Sequence, residues 1–215
     1  MATAGREPNA APMRIALATR NGGKIREILA ICADWPVAWV TDGSRGWPHV
    51  EETGPGYLDN ARLKAHAVAA FTRLPAIADD SGIEVDALSG GPGPLSARFA
   101  GPDASDADNL RLLIERITPV PPHDRTAAYR CVAVCAWPDG REACAEATCS
   151  GLLVSEPRGE RGFGYDPIFV PEEELVAGAA RTMAELSPAE KDAISHRGRA
   201  FRALRDRLFG PPIAG

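Results

Sequence analysis

Short apolar runs alternate with amphipathic stretches along the first half of the chain. The segment RIALAT (residues 14–19) predicts a buried strand, which runs through a glycine turn into a helical pattern. Residues 57–73 again show a helical pattern, and residues 76–78 predict a short strand that ends in a turn at DDSG (residues 79–82). Strand, glycine turn and helix in this order indicate an α/β protein.

The second half of the chain adds an antiparallel section. Two apolar runs, residues 127–136 and 142–154, flank Trp137-Pro138-Asp139-Gly140 and predict a hairpin. Capping signals or an apolar face predict helices in the remaining regular segments: residues 106–118 after Ser105, a helix that begins after Ser187, and residues 198–209.

Composition narrows the class of protein. The chain has 215 residues, of which 45% are hydrophobic and 25% charged, as is typical of one globular domain. We expect a flexible extension over residues 1–12 and a domain over residues 13–210. The formal net charge of −5 argues against nucleic acid as a partner. Without a membrane-length apolar run or a signal peptide, we expect a cytoplasmic protein with no membrane contact.

Two segments of the first half carry candidate chemistry for phosphate and metal. The loop TRNGGK (residues 19–24) would present backbone N–H groups, a helix dipole and a lysine to an anion, although a plain turn has the same pattern. The carboxylates of DDSG suit Mg²⁺ and proton transfer from water, although such residues also cap turns. Glu51 and Glu52, in an acidic loop, are candidates for a further metal ligand or for solvated charge.

Two segments of the second half carry candidate chemistry for a flat, charged ligand. In GFGYDP (residues 162–167), two glycines flank an aromatic ring on which a nucleobase could stack, and a core aromatic in a tight loop is the alternative. In KDAISHRG (residues 191–198), a lysine, a histidine and an arginine can donate to phosphate or base oxygens, and a charged surface helix is the alternative.

The order of these four segments resembles the inosine triphosphate pyrophosphatase family. The matching stretches span the chain from about residue 14 to residue 208: ATRNGGK, ADDSGIEVDALSGGPGPLSARFAG, GFGYDPIF and AELSPAEKDAISHRG. The resemblance implies an elongated, twisted mixed β-sheet with flanking helices and two lobes around a central cleft, in a homodimer. The implied reaction is Mg²⁺-dependent hydrolysis of ITP, dITP or XTP to the nucleoside monophosphate and pyrophosphate.

Residue roles follow from the same resemblance, by motif position. Asp80 is the implied general base and a metal ligand, and Asp79 supports the metal site. Glu51 is the implied additional metal ligand, with Glu52 as the alternative. The remaining positions are expected to bind the substrate, Phe163 by stacking on the base: Thr19, Arg20, Asn21, Gly22, Gly23, Lys24, Ser81, Phe163, Gly164, Tyr165, Asp166, Lys191, His196 and Arg197.

Departures from the family pattern and two other functions stay open at this point. Arg20 and Leu95 stand where a small residue and an aromatic residue are expected.

One alternative function is that of a pyrophosphatase of modified pyrimidine triphosphates, as in Maf-type proteins. The other is a nucleotide-binding module without catalysis, against which the carboxylates of Asp79 and Asp80 argue, since they repel a triphosphate unless a metal is held.

Overall fold

A mixed β-sheet forms the centre of the computed structural model, which describes residues 12–42 and 46–210. The six strands in these residues are ordered β2-β1-β3-β4-β5-β6. Strand β1 is parallel to β2 and β3, and the pairs from β3 to β6 are antiparallel. The expected α/β fold with a mixed sheet is confirmed. The expectation for residues 1–12 lies outside the described residues except for Pro12.

The elements follow the chain in an order close to the one predicted. The strands are β1 (Met13–Leu17), β2 (Val37–Val40), β3 (Ala76–Val85), β4 (Thr126–Ala136), β5 (Glu142–Leu153) and β6 (Phe169–Pro171). The helices are α1 (Gly22–Ile31), α2 (Tyr57–Thr72), α3 (Asp106–Ile117), α4 (Glu172–Val176), α5 (Pro188–Ile194) and α6 (His196–Phe209).

Local sequence chemistry accounts for several of these boundaries. Ser105 and Ser187 each accept from the backbone N–H three residues later and close a capping box, which confirms the predicted starts of α3 and α5. The predicted hairpin between β4 and β5 is also confirmed, with Trp137 N donating to Arg141 O over 2.9 Å. Helix α6 begins at His196, two residues before the predicted start, because Ser195 caps it by accepting from Gly198 N.

The prediction of a short strand that ends in a turn at DDSG is wrong. Strand β3 continues to Val85, and Asp79, Asp80 and Ser81 pair with Ala133, Val132 and Cys131 of β4. The low strand propensity of Asp and Gly is overridden by an uninterrupted antiparallel ladder with β4. The carboxylates therefore project from the middle of a strand, on alternating faces.

The long strands β3, β4 and β5 carry separate cores at their two ends. At one end, Ile77 and Cys135 pack under α1 and α6, while Ala78 and Val134 pack under α2 on the opposite face. At the other end, Ile83 belongs to a third core that includes residues of α3. This arrangement confirms the two-lobed sheet, and it places the Asp79–Gly82 stretch of β3 between the lobes.

Candidate active site

The loop of residues 19–24 leaves β1 beside the middle of β3. Asn21 caps α1, because its Oδ1 accepts from Lys24 N over 3.0 Å, and Thr19 Oγ1 accepts from Asn21 N over 3.2 Å. Arg20 is about half exposed, pairs with Asp42 at 3.3 Å and donates to Trp47 O. The start of a ten-residue helix thus faces the region where the strand carries its carboxylates, and its dipole favours an anion there.

Asp79 lies on the face of the sheet that α1 and α6 cover. Its Oδ2 is 3.1 Å from Lys24 Nζ and 3.2 Å from Arg197 Nη2, and its side chain is fully buried. Burial alone would raise the pKa of Asp79, but the two cations outweigh it and hold that pKa well below its ordinary value. Asp79 is therefore an ionised carboxylate that holds two cations at the wall of the cleft.

Asp80 lies on the opposite face, under α2. Its Oδ2 accepts from Asn60 Nδ2 over 3.2 Å, and its Oδ1 is 3.3 Å from Lys64 Nζ. Burial raises the pKa of Asp80 even though Lys64 opposes the shift. A carboxylate with a raised pKa accepts a proton more readily than an ordinary aspartate, which suits a general base.

Lys64 joins Asp80 to Glu52. The Lys64 ammonium is 2.6 Å from Glu52 Oε1, and Arg98 Nη1 is 3.3 Å from Glu52 Oε2. Burial alone would raise the pKa of Glu52, but Lys64 outweighs it and lowers that pKa. Glu51 is exposed, whereas Glu52 lines the same cavity as Asp80, so the structure favours Glu52, the alternative of the two predicted ligands.

The donor set around Lys64 fits a magnesium ion. Mg²⁺ is usually held by one or two carboxylates together with phosphates of the substrate. Asp80 and Glu52 form such a pair, and a cation, the Lys64 ammonium, already lies between them. Asp79 faces the other side of the strand and is not brought to this pair. In residues 12–42 and 46–210, no group of three or more His, Cys, Asp or Glu is placed to hold a metal.

Phe163 forms a flat wall on the α1 side of the cleft. Its ring has cations beside it, with Lys191 Nζ 5.2 Å and Arg197 Cζ 5.7 Å from the ring centroid. The loop is held by Asp166 Oδ2, which accepts from Phe163 N over 2.8 Å, and by Tyr165, whose hydroxyl donates to Ser96 O over 2.7 Å. Gly164 adopts a φ of +61°, which lets the chain turn between the two aromatic rings.

Lys191 and Arg197 are fixed by a shared carboxylate, Glu27 of α1. Lys191 Nζ is 2.5 Å from Glu27 Oε1 and 2.6 Å from Asp166 Oδ2, and Arg197 Nη1 donates to Glu27 Oε2. Arg197 also donates to Ser81 Oγ over 2.9 Å. Burial alone would lower the pKa of Lys191, but Asp166 and Glu27 outweigh it and raise that pKa, so the ammonium stays charged.

His196 is buried under the same wall and stacks on Tyr129, with ring centroids 4.6 Å apart. Burial, with Arg197 and Lys191 adding to it, lowers the pKa of His196 well below 6.5. Its Nδ1 has no hydrogen-bond partner among the described residues. A neutral imidazole with a free nitrogen at a cleft can serve as a donor or acceptor to a ligand, depending on its tautomer.

Two adjoining cavities collect most of the predicted residues. The first is lined by residues of all four segments. The second is lined by residues of the loop 19–24 and by Asp80, Glu52 and Lys64. The two share Asn21, Lys24, Ser81 and Ala97. Gly22 and Gly23 lie in the first turn of α1 and line neither of these two cavities. Gly23 lines a third cavity together with Phe163, whose ring a Cβ atom at position 23 would meet.

Sequence reasoning missed three residues that organise the site: Glu27, Asn60 and Lys64. Asn60 and Lys64 are four residues apart on α2, next to the buried Ala61 and Ala65. Polar side chains beside an apolar helix face were a usable indication for this pair. No pattern indicated Glu27, because its partners Lys191 and Arg197 are more than 160 residues away.

Fold and site together define an α/β protein whose cleft joins an aromatic wall to buried carboxylates and cations. The model of the Ham1 family matches residues 15–207. A dITP/XTP pyrophosphatase of Streptomyces coelicolor is 50% identical over 194 residues, 89% of this chain and 94% of the relative. One of Shigella flexneri is 44% identical over 197 residues, 91% of this chain and 98% of the relative. The chain therefore belongs to the Ham1 family, and the resemblance seen in its four segments is confirmed.

Solved structures agree with this assignment. A HAM1 protein from Coxiella burnetii matches with a TM-score of 0.80 and 37% identity, over 93% of this chain and 100% of that chain. A nucleoside-triphosphatase / dITP/XTP pyrophosphatase from Mycobacterium abscessus matches with a TM-score of 0.69 and 42% identity, over 89% of this chain and 98% of that chain. Within the described part of the chain, no helix is both long and apolar enough to cross a membrane.

Proposed function

We propose that this protein hydrolyses non-standard purine nucleoside triphosphates, namely ITP, dITP and XTP, to the nucleoside monophosphate and pyrophosphate with Mg²⁺. The observation that carries the proposal is the junction at β3. There Asp80 faces Lys64 on one side of the sheet, and Ser81 faces Arg197 on the other side and lines the cavity that Phe163 also lines. A nucleotide that spans this junction would present its base to one side and its phosphates to the other. Relatives at 50% and 44% identity carry the name dITP/XTP pyrophosphatase, which supports this substrate class.

The base is assigned to the wall formed by Phe163, with Gly164, Tyr165 and Asp166 shaping the loop. Arg197 has five N–H donors, of which four are used in bonds to Asp79, Glu27 and Ser81 among the described residues. The remaining N–H can donate a hydrogen bond to the 6-keto oxygen of hypoxanthine or xanthine. The 6-amino group of adenine would leave it unpaired, which costs affinity.

The phosphates are assigned to the start of α1. Thr19, Arg20, Asn21 and Lys24 all line the cavity that also holds Asp80. Backbone N–H groups, the helix dipole and the Lys24 ammonium together neutralise charge that builds on the departing pyrophosphate.

Asp80 is assigned as the base that takes a proton from the attacking water. The water oxygen then bonds to the α-phosphorus, the bond from that phosphorus to the bridging oxygen breaks, and pyrophosphate leaves. Asp80 and Glu52 would hold Mg²⁺, which when bound neutralises phosphate charge. Asn60 orients the Asp80 carboxylate through its amide.

A substrate panel tests the proposal against both alternatives. Pyrophosphate release is measured with dITP, XTP, dATP, dGTP and dUTP, each with Mg²⁺ and with EDTA. Release confined to dITP and XTP and abolished by EDTA is the expected result. Preference for modified pyrimidines would favour the Maf-type alternative, and binding without turnover would favour a binding module. The homodimer and the cytoplasmic location stay predictions.

A further inference from the structure

The ring of Phe163 lies directly on the first turn of α1, at Gly23. A Cβ atom built on Gly23 would be 2.8 Å from Phe163 Cδ1 and 3.0 Å from Cε1. These separations are well below ordinary carbon–carbon contact, so the ring occupies space that any side chain at position 23 would need. Gly23 has no positive φ, and the chain therefore requires glycine there for this close approach and not for backbone conformation.

The ring has freedom to move away from Gly23. It borders the first cavity, which Phe163 lines and Gly23 does not. It also borders the third cavity, which Gly23, Arg26 and Glu27 line on the α1 side. The atoms that a Cβ would strike belong to a side chain beside open space, so displacement of the ring is the least costly response. The backbone of the loop stays tied through Phe163 N and Asp166 Oδ2 at 2.8 Å.

We propose that Gly23 is a positioning residue that sets where the Phe163 ring lies. The same helical turn carries the phosphate-facing end of α1, so one contact fixes the base-binding wall relative to the phosphate site. This inference rests on the proposed function, because it assigns the base to Phe163. In this proposal Gly23 affects binding of the base by setting the position of the Phe163 ring. This effect is separate from any contact between Gly23 and phosphate.

Binding of two product molecules separates this role from a phosphate contact. Inosine monophosphate carries the base, whereas pyrophosphate does not, and both are titrated calorimetrically so that no turnover is required. In Gly23→Ala we expect the Kd for inosine monophosphate to rise about three- to tenfold, the range of a lost aromatic stacking contact. The Kd for pyrophosphate is expected to change less than about twofold, within the usual scatter of additive effects.

Two further variants make the result specific. Gly56→Ala also adds a methyl group at a helix start, where the nearest atom, Asp59 Oδ2, is at an ordinary 3.8 Å. It is expected to bind both molecules as the wild type does. Phe163→Leu removes the ring, so adding Gly23→Ala to that variant is expected to cost no further affinity for inosine monophosphate.

Each of the following results would overturn the positioning role. Equal losses for both molecules would mean that the new methyl group acts on Asn21 Oδ1, which is 3.1 Å from the built Cβ. An undiminished loss in the Phe163→Leu background would mean that the ring does not transmit the effect. Failure of the wild type to bind inosine monophosphate would contradict the assignment of the base to Phe163, on which the positioning role rests.

Hydrolysis of dITP by the wild type is measured independently of these binding experiments. If dITP is hydrolysed but Gly23→Ala binds inosine monophosphate normally, the positioning role fails and the proposed reaction stands. If the binding pattern holds without hydrolysis, the proposed reaction fails and the positioning role stands.

Discussion

At the scale of single residues, the adjacent aspartates Asp79 and Asp80 on β3 have different proposed roles. Alternation along the strand sends Asp79 to Lys24 and Arg197, and Asp80 to Asn60 and Lys64. The cations lower the pKa of Asp79, although burial opposes them, whereas burial raises the pKa of Asp80. Two identical side chains thus become a fixed counter-ion and a candidate base because their surroundings differ.

Conservative replacement separates these two roles. Asp80→Asn is expected to lower kcat for dITP by about 10²- to 10⁴-fold, the usual contribution of a general base, with an unchanged unfolding curve. Asp79→Asn is expected instead to lower the unfolding free energy by about 3 kcal/mol, because two cations lose their buried counter-charge. The measurements are pyrophosphate release and urea unfolding. A near-normal kcat in Asp80→Asn would show that another group takes the proton.

Lys24 is expected to distinguish a triphosphate from a monophosphate. Lys24→Ala removes an ammonium at the start of α1, so affinity for a non-hydrolysed inosine triphosphate analogue is expected to fall roughly tenfold or more, and affinity for inosine monophosphate less. Thermal unfolding of the same variant controls for the partner that Asp79 loses. Equal losses for the two nucleotides would place Lys24 away from the β- and γ-phosphates.

At the scale of elements, β3 shows where local sequence reasoning fails. The low strand propensity of the residues after Ala78 predicts that β3 ends there. Strand β4, however, pairs with β3 continuously as far as Val85, and this pairing sets the length of the strand. Capping boxes at Ser105 and Ser187 and the hairpin turn at Gly140 were predictable, because their chemistry lies within a few neighbouring residues.

Gly82 is expected to be indispensable to the contact between β3 and the 3₁₀ turn Gly93–Arg98. A Cβ on Gly82 would be 2.2 Å from Gly93 O and 2.6 Å from Ser96 Oγ. Because a backbone oxygen cannot swing aside, Gly82→Ala is expected to cost about 2–3 kcal/mol of unfolding free energy, as overpacked sites do. Urea unfolding measures this cost, with Gly56→Ala as the control substitution. Equal stability of the two variants would mean that the turn relaxes freely.

At the scale of the whole molecule, the site is assembled from parts that are distant in sequence. Glu27 of α1 holds Lys191 of α5 and Arg197 of α6, and Lys64 of α2 joins Glu52 to Asp80. The four sequence segments were sufficient to indicate the family and most cleft residues. These linking ion pairs were not predictable, because they depend on how separate helices pack across one sheet.

The buried His196 predicts how stability responds to acid. Its pKa in the folded protein is well below the ordinary 6.5, through burial first and the charge of Arg197 second. Below about pH 6.5 the unfolded chain therefore binds a proton that the folded chain excludes, and folding stability falls as the pH is lowered. Above that pH both forms are neutral at this residue, and the contribution is constant.

Urea unfolding between about pH 7.5 and 5 tests this dependence in the wild type and in His196→Gln. The wild type is expected to lose up to about 1.4 kcal/mol per pH unit more than the variant below about pH 6. The carboxylates titrate in both proteins and cancel in the comparison. Parallel stability curves would show that His196 takes up its proton without unfolding.

The central claim is that a purine triphosphate is cleaved at its α-phosphorus with Mg²⁺ and Asp80. The most direct measurement is ³¹P NMR of the products formed from dITP by the wild type, with Mg²⁺ and with EDTA. Deoxyinosine monophosphate and pyrophosphate, formed only with Mg²⁺, are the predicted products. Deoxyinosine diphosphate with inorganic phosphate, or turnover that persists in EDTA, would contradict the claim.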